Sequence, residues 1–197
     1  MSGPRKTTGV VLKVGGSLFD RPDLRRGLRY CLEVISGERH LLVPGGGPTA
    51  QAVRVLDRCH GLGEETSHWL ALEALALNAH FLARLLPDAV VVGQVGDCQA
   101  PWSAGRPCIL DAHAFALADE GRTGCLPHSW QVTSDSLAAR VAEVAGAGRL
   151  ILLKSVTFPR PVDWAEASRR GLVDAYFPQA LPAGVEVNAV NCRVLWG

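Results

Sequence analysis

Residues 9–17 read Gly-Val-Val-Leu-Lys-Val-Gly-Gly-Ser, an apolar run that ends in a lysine, two glycines and a hydroxyl. The β-branched residues bounded by glycine predict a buried strand over Gly9–Val14. The glycines after it let backbone N–H groups approach an anion, and Lys13 adds a positive charge beside them. On turn chemistry alone, a plain strand-to-helix turn explains this sequence about as well as a phosphate site does.

A second glycine-rich turn follows the next predicted strand. Residues 41–43 are apolar and lead into Pro-Gly-Gly-Gly-Pro at 44–48, after which Thr49 is expected to cap a helix that reaches about Cys59. Three successive glycines indicate close approach to a ligand or an unusual dihedral, with a tight strand-to-helix connection as the alternative. Ligands collect at the carboxyl ends of strands in open α/β sheets, so two such turns favour a ligand site.

Strands and helices alternate along the rest of the chain. This order predicts an α/β fold with a mainly parallel central sheet covered on both faces, as a single domain over residues 1–197. Helices are predicted over 22–35, 65–86, 134–145 and 162–170, strands over 89–92, 108–110 and 150–154, a closing hairpin from 185–190 and 192–195, and irregular stretches over 93–107, 120–128 and 155–161.

Composition argues against several functional classes. The net charge of +1 gives neither a basic field for nucleic acid nor an acidic tail. No apolar stretch reaches the length of a membrane span, and residues 1–8 lack the apolar run of a signal peptide. No two of the six cysteines are spaced like a zinc or redox pair. We therefore expect a cytoplasmic protein with reduced cysteines that binds neither nucleic acid nor membranes.

A polar cluster precedes the helix predicted over 134–145. Thr133, Ser134 and Asp135 lie just ahead of an alanine-rich run, where one capping residue, contributing about 1 kcal/mol, would be enough. The extra polar residues allow a second interpretation, in which Asp135 holds a catalytic lysine in position or helps to organise a metal ion.

Lysine is rare in this chain, since only Lys6, Lys13 and Lys154 occur and the other basic residues are arginines. Lys154 ends the apolar run of residues 150–154, where it can extend to solvent or reach a phosphate beside Lys13. The histidines are scattered without acidic partners at metal-ligand spacing, so we assign no residue to a metal. The apolar stripe that begins at Trp69 is expected to be core or a dimer interface.

Taken in order, these segments resemble the amino-acid-kinase superfamily, which includes aspartate, glutamate and uridylate kinases. Lys-Val-Gly-Gly-Ser at 13–17 is similar to its opening motif, and Val-Pro-Gly-Gly-Gly at 43–47 is similar to its second glycine loop. Thr-Ser-Asp-Ser at 133–136 resembles its aspartate-bearing segment, and Leu-Leu-Lys at 152–154 falls where uridylate kinases carry a strand-end lysine. The resemblance implies a three-layer αβα sandwich, usually dimeric or larger, that transfers a phosphoryl group from Mg-ATP to a carboxylate, carbamate or phosphate.

The resemblance also implies a set of roles. ATP and Mg²⁺ are the expected cofactors, with Mg²⁺ bridging ATP oxygens instead of occupying a protein cage. The implied catalytic residues are Lys13, Asp135 and Lys154; ATP would contact Gly15, Gly16, Ser17 and Lys154; and a small phosphorylated acceptor would contact Gly45, Gly46, Gly47, Thr133 and Ser134.

Finer features resemble one branch of the superfamily. Residues 68–72, 129–135 and 171–178 are similar to the small kinases of methanofuran biosynthesis and their bacterial relatives in one-carbon metabolism, which implies an aminomethylfuran-methyl phosphate as acceptor. One segment departs from the family, because residues 155–161 lack the usual Asp- and Gly-rich nucleotide segment and no lysine follows Lys154. The departure favours an alternative, a non-catalytic phosphometabolite-binding or assembly protein that reuses the fold.

Overall fold

The structure is a computed structural model that describes residues 9–35 and 39–196, so Lys6 lies outside the described residues. The strands are β1 (Gly9–Val14), β2 (Arg39–Pro44), β3 (Val90–Val92), β4 (Cys108–Leu110), β5 (Arg149–Lys154) and β6 (Glu186–Asn191). The helices are α1 (Leu24–Val34), α2 (Gly47–His60), α3 (Glu64–Leu85), α4 (Gln99–Ser103), α5 (Ala112–Asp119), α6 (Ser134–Val144), α7 (Trp164–Arg169), α8 (Phe177–Ala180) and α9 (Cys192–Leu195).

The six strands form one sheet in the order β3-β4-β2-β1-β5-β6, and every pairing between neighbours is parallel. The predicted α/β class is therefore confirmed. Parallel pairing brings the carboxyl ends of β1, β2 and β5 to one edge of the sheet. The segments that follow these ends are the two glycine-rich turns and the segment after Lys154, so the fold gathers the predicted site residues at that edge.

The predicted closing hairpin is wrong. Glu186–Asn191 pairs parallel to β5, and the residues after it form α9 instead of a returning strand. The side chain of Asn191 accepts a hydrogen bond from the backbone N–H of Arg193, which caps the helix. Parallel pairing with β5 also requires a crossover, and α7 and α8 lie in that connection.

Side-chain alternation along β1 divides the core between the two faces of the sheet. Val11 packs with Leu150 and Leu152 in a cluster that also contains buried residues of α5 and α6. Val10 and Leu12 belong to a second cluster with buried residues of α1 and the later turns of α3. Odd-numbered residues of β1 therefore face α6, and Lys13 is one of them.

Two local details differ from the sequence-based expectations. Thr49 is not the cap of α2, because the helix begins two residues earlier with Gly46 at the cap position, and the Thr49 hydroxyl donates to the Gly46 carbonyl at 2.6 Å. Helix α5 was not predicted, although its signal is present: Asp111 precedes an alanine-rich run, and its carboxylate accepts the Ala114 N–H at 3.0 Å.

Three further observations concern the classes considered from composition. All six cysteines are free thiols. Within residues 9–35 and 39–196, no helix is both long and apolar enough to cross a bilayer. The same residues contain no cluster of three or more His, Cys, Asp or Glu side chains placed to hold a metal ion.

Candidate active site

Two lysines and one aspartate meet at the carboxyl edge of the sheet. Lys13 on β1 is in register with Leu152 on the adjacent β5, and Lys154 lies two residues further along β5. Because side chains alternate along a strand, both lysines point to the face that α6 covers. Asp135 lies in the first turn of α6, between them. The three residues predicted to be catalytic are therefore brought together.

Asp135 bridges the two ammonium groups. Lys154 Nζ donates to Asp135 Oδ2 at 2.7 Å and to the Leu172 carbonyl oxygen at 2.8 Å. Lys13 Nζ lies 2.8 Å from Asp135 Oδ1. This second contact is a close ion pair outside hydrogen-bond geometry, so Oδ1 accepts no hydrogen bond from the described part of the chain. Each carboxylate oxygen thus faces one cation.

The centre is buried and carries a net positive charge. The side chains of Lys13 and Asp135 are each 6% exposed and that of Lys154 is 11% exposed. Burial acts to raise the pKa of Asp135, but the charges of both lysines, together with the hydrogen bond from Lys154, outweigh it and hold that pKa below its ordinary value. Burial, together with the charge of Lys13, lowers the pKa of Lys154 to about 8. Two cations against one anion make the centre attractive to a further anion.

Asp174 holds the first turn of α6 in place, a role that sequence reasoning missed. Its carboxylate accepts the backbone N–H groups of Thr133 at 3.1 Å and Ser136 at 3.0 Å, as well as the hydroxyls of both residues. It also accepts the N–H of Phe177 at 2.9 Å. Asp174 therefore fixes the position of Asp135 from another part of the chain. In the sequence, Asp174 is marked only by its place in segment 171–178, which resembles one branch of the superfamily.

The glycine tips of β1 and β2 pack against each other, backbone to backbone. A Cβ on Gly16 would lie 2.2 Å from Gly47 N, and one on Gly45 would lie 2.4 Å from Gly16 N. A Cβ on Gly15 would lie 2.6 Å from the Leu153 carbonyl oxygen. Gly47 also has a positive φ of 52°. Close packing between the strand tips therefore explains why glycines occupy these two turns.

The backbone N–H groups of two of these glycines already donate hydrogen bonds within the protein. Gly15 N donates to Leu153 O and Gly45 N donates to Val14 O, both at 2.8 Å. Gly46 and Gly47 begin α2, whose first amides have no intrahelical acceptor and which presents the positive end of its dipole there. Anion contacts through backbone N–H groups are therefore open to Gly46 and Gly47 but not to Gly15 and Gly45.

Asn78 anchors the second glycine loop. Its side-chain amide, which is buried within α3, donates to the carbonyl oxygens of Gly45 and Gly46, each at 2.8 Å. These contacts tie the loop carbonyls to α3. Sequence reasoning missed Asn78, although an asparagine inside an alanine- and leucine-rich helix was a detectable signal, since a buried amide needs partners.

A cavity of about 320 Å³ opens beside the charged centre. Residues predicted to contact ATP and residues predicted to contact the acceptor both line it, namely Gly16, Ser17, Gly46, Gly47, Thr133 and Ser134. Lys13 and Lys154 do not line this cavity, but Ser17 follows the strand that carries Lys13, and Ser134 is adjacent to Asp135, which is paired with both lysines. The other walls carry flat or apolar side chains, including His68, Phe115, Leu126, His128 and Trp130, together with the cation Arg54. Two carboxylates also line the cavity, and each is already paired: Asp119 with Arg140, and Glu120 with His128.

Two histidines that are distant in sequence meet at the cavity wall. The rings of His68 and His128 stack with centroids 4.8 Å apart. His128 Nδ1 lies 2.8 Å from Glu65 Oε2, and its Nε2 lies 2.8 Å from Glu120 Oε2. Burial, then the neighbouring charge of His128, lowers the pKa of His68 to about 4, so His68 is neutral near pH 7. Trp69 contacts both rings and also packs against the hydrophobic core, so its predicted core position is confirmed.

The segment after β5 lies on the other side of the centre. Ser155 Oγ is 2.8 Å from Ser17 Oγ, which links the tips of β5 and β1. Phe158 is buried against Trp164, with ring centroids 6.0 Å apart, and Trp164 contacts Phe177 at 5.3 Å. Aromatic side chains thus pack the segment where the sequence departs from the family pattern.

Fold and site together define a parallel α/β protein with an anion-attracting centre at the carboxyl edge of its sheet. The amino acid kinase family matches residues 8–157, and the chain belongs to that family.

Relatives and solved structures of similar fold are kinases. The chain is 26% identical to the [5-(aminomethyl)furan-3-yl]methyl phosphate kinase of Methanocaldococcus jannaschii, over 95% of this chain and 76% of that protein. It is 31% identical to a uridylate kinase of Methanospirillum hungatei, over 75% of this chain and 59% of that protein. The uridylate kinase structure from Archaeoglobus fulgidus superposes with a TM-score of 0.68 at 18% identity, covering 95% of this chain and 93% of that one. The UMP kinase structure from Bacillus anthracis superposes with a TM-score of 0.69 at 14% identity, covering 94% and 88%.

Proposed function

We propose that the protein is an ATP-dependent phosphotransferase acting on a small phosphorylated acceptor. The observation that carries this proposal is the buried pair of ammonium groups, Lys13 and Lys154, held by one carboxylate beside a cavity at the strand tips. Membership of a kinase family supports the same reaction class.

The residues of the centre suit charge stabilisation. Lys13 and Lys154 would offset negative charge that develops on phosphoryl oxygens, and Asp135 keeps both ammonium groups in place before the reaction begins. The acceptor phosphate would contact the free amides of Gly46 and Gly47. An acceptor that is already a phosphate anion needs no general base, so positioning and electrostatics supply the rate enhancement.

The charge of the residues at the centre is complementary to that of a bound nucleotide. The centre has an excess positive charge, and Gly16 and Ser17 start a short 3-10 turn at the tip of β1. Gly16, Ser17 and Lys154 would hold the ATP phosphates, and bound Mg-ATP would supply the phosphoryl group. Asp135 is already paired with both lysines, so Mg²⁺ would depend on phosphate oxygens for most of its ligands.

The cavity favours a flat acceptor. Imidazole and indole rings from His68, His128 and Trp130 form its walls, and they suit a small ring that carries a phosphate. The name of the M. jannaschii relative supplies one candidate of this shape. We therefore propose an aminomethylfuran-methyl phosphate acceptor and a place in methanofuran-type one-carbon cofactor biosynthesis. A nucleoside monophosphate is the rival, suggested by the uridylate kinases.

A cytoplasmic homodimer is the expected form of the enzyme. Leu77 and Phe81 on α3 are 61% and 41% exposed, and an exposed apolar pair on a long helix supports burial against a second copy.

A non-catalytic anion-binding or assembly protein remains the second candidate. The specific observation in its favour is the segment after β5, where Phe158 and Trp164 pack together in place of the usual nucleotide segment. Such a protein would keep the acceptor cavity and bind a phosphorylated metabolite without ATP.

The experiment that tests the proposed function is an acceptor panel with γ-labelled ATP. The panel contains the aminomethylfuran-methyl phosphate, UMP, other small phosphate monoesters and carboxylates, and transfer of the label is measured for each. Transfer to a phosphate acceptor is the expected result. Binding of the phosphate esters without any transfer would support the second candidate.

A further inference from the structure

Arg54 is a cation held in position at the wall of the cavity. It lies on α2, lines the cavity, and its guanidinium carbon sits 4.0 Å from the centroid of the Trp130 ring. Among residues 9–35 and 39–196, Arg54 has no carboxylate within ion-pair distance and no hydrogen-bond acceptor. By contrast, the buried Arg140 forms two hydrogen bonds to Asp119 and one to Glu143.

Trp130 is itself fixed, which gives Arg54 a defined platform. Its indole N–H donates to Asp57 Oδ2 at 2.9 Å, and Asp57 lies three residues after Arg54 on the same helix. A guanidinium stacked on an indole face keeps its edge free, because the π-contact uses the flat face and leaves the N–H fork in the plane. Helix α2 and Trp130 therefore hold the fork at the cavity while its donors stay available.

The surroundings of Arg54 favour an incoming anion. Burial and then the charge of Arg58 lower the pKa of Arg54, so nearby groups disfavour its charge. Arg54 and the two glycines at the start of α2, Gly46 and Gly47, line the same cavity. The guanidinium and the positive end of the helix dipole therefore both favour an anion in that cavity.

We infer that Arg54 recognises the anionic group of the acceptor and that Trp130 holds it in position. The inference rests on the proposed function and specifies its substrate class as a small ring bearing a phosphate. The fork of an arginine matches phosphate oxygens in a way that a neutral ring substituent cannot.

His68 supplies a second unused polar group for the ring. It is neutral and stacked on His128, and within the described residues no hydrogen bond to its ring nitrogens is formed. It therefore offers one donor and one acceptor to a ring substituent.

Binding without ATP tests the inference apart from catalysis. Benzyl phosphate, UMP, inorganic phosphate and benzyl alcohol are titrated into the full chain, and the indole N–H signal of Trp130 is followed by NMR after assignment with Trp130→Phe. We expect one or both phosphate esters to bind and shift this signal, and benzyl alcohol to bind at least tenfold more weakly. Arg54→Met should weaken binding of the esters by about tenfold to a hundredfold, because a hydrogen bond to a charged group is lost.

Matched variants separate recognition from structure. Arg58→Met changes an exposed arginine one turn further along α2 that does not line the cavity, and it should weaken ester binding far less than Arg54→Met does. Arg54→Lys keeps the charge without the fork and should restore part of the affinity. Trp130→Leu removes the platform and should weaken ester binding while Arg54 is intact.

The inference fails if Arg54→Met binds the esters as tightly as the wild-type protein, or if the wild-type protein binds none of these probes. It also fails if Arg54→Met and Arg58→Met weaken binding equally. Arg54-dependent ester binding without transfer from ATP would leave the inference standing and remove the proposed kinase activity. If Arg54→Met transferred the phosphoryl group normally with an unchanged acceptor KM, the proposed kinase activity would stand and the role of Arg54 would be removed.

Discussion

The two sides of the charged centre differ in how much room they leave. Towards α2 and α3, a cavity of about 320 Å³ is lined by the glycine backbone, flat rings, the Arg54 guanidinium and two carboxylates that are paired elsewhere. Towards β6, the segment after β5 is packed by Phe158 and Trp164. The proposed acceptor side is therefore an open cavity, whereas the proposed nucleotide side is filled by packed side chains.

This difference separates the two candidate functions. Both sides share Lys13, Asp135 and Lys154, and the buried pairing of these residues is costly unless it serves a purpose, because removing charges from water carries a large penalty. A protein that only bound a phosphate ester could do so with the cavity alone. The presence of a second buried lysine, Lys154, supports phosphoryl transfer. The most informative tests therefore concern the charged centre and the proposed nucleotide side.

Lys13→Ala is expected to give the largest effect. Removing one of two cations from a transfer centre should lower kcat by about a thousandfold. The fold should survive, because Asp135 keeps its hydrogen bond from Lys154. Steady-state kinetics with the best acceptor, alongside a thermal melt, measure both quantities. Unchanged turnover in a folded variant would remove Lys13 from the mechanism.

Asp135→Ala should act mainly on stability. It leaves two buried ammonium groups without their shared carboxylate, and breaking a buried ion pair in this way costs about 3–5 kcal/mol. Urea unfolding measures the loss, and Asp135→Asn should retain the shape of the site but not the charge. If Asp135→Ala were as stable as the wild-type protein, the carboxylate would not be the element that holds the lysines together.

Asn78→Ala should have an intermediate effect on the acceptor side. It removes two hydrogen bonds to the glycine loop and leaves the carbonyls of Gly45 and Gly46 short of donors, at a cost of about 1–3 kcal/mol. We expect a raised acceptor KM with a smaller change in the KM for ATP. Asn188→Ala on the exposed part of β6 is the matched control, and equal effects of the two variants would contradict the anchoring role.

The pH dependence of the rate should show the smallest effect. Because the pKa of Lys154 is lowered to about 8, the rate should fall by about tenfold per pH unit above that value as its proton is lost. Stability should not fall with the rate. Between about pH 8 and the ordinary lysine value of 10.5, the unfolded chain binds more protons than the folded one, so the contribution of Lys154 to stability rises with pH. A rate that stays level from about pH 7 to 9 would contradict this role.

Much of the fold could be predicted from local patterns. Gly9–Val14 and Cys108–Leu110 are strands with the predicted bounds, because short apolar runs between glycine or proline signals are typical of buried parallel strands. The hairpin prediction failed because a four-residue segment such as 192–195 is too short for its periodicity to separate strand from helix. The cap from Asn191 favours the helix.

The site was only partly predictable. Lys13, Asp135 and Lys154 follow motifs that can be read directly, and parallel pairing brings them together. Asp174 and Asn78 act through contacts to segments far away in sequence, which no local pattern specifies. The glycines had two interpretations, and only the backbone contacts showed that Gly15 and Gly45 serve packing.

The most direct test of the central claim is a calorimetric titration of Mg-ATP into the wild-type protein and into Lys13→Ala. The claim is that the short segment after β5 still leaves a working nucleotide side next to the two lysines. We predict saturable heat with the wild-type protein and binding at least tenfold weaker in the variant. No heat with Mg-ATP, in a protein that binds a phosphate ester in the cavity, would contradict the claim.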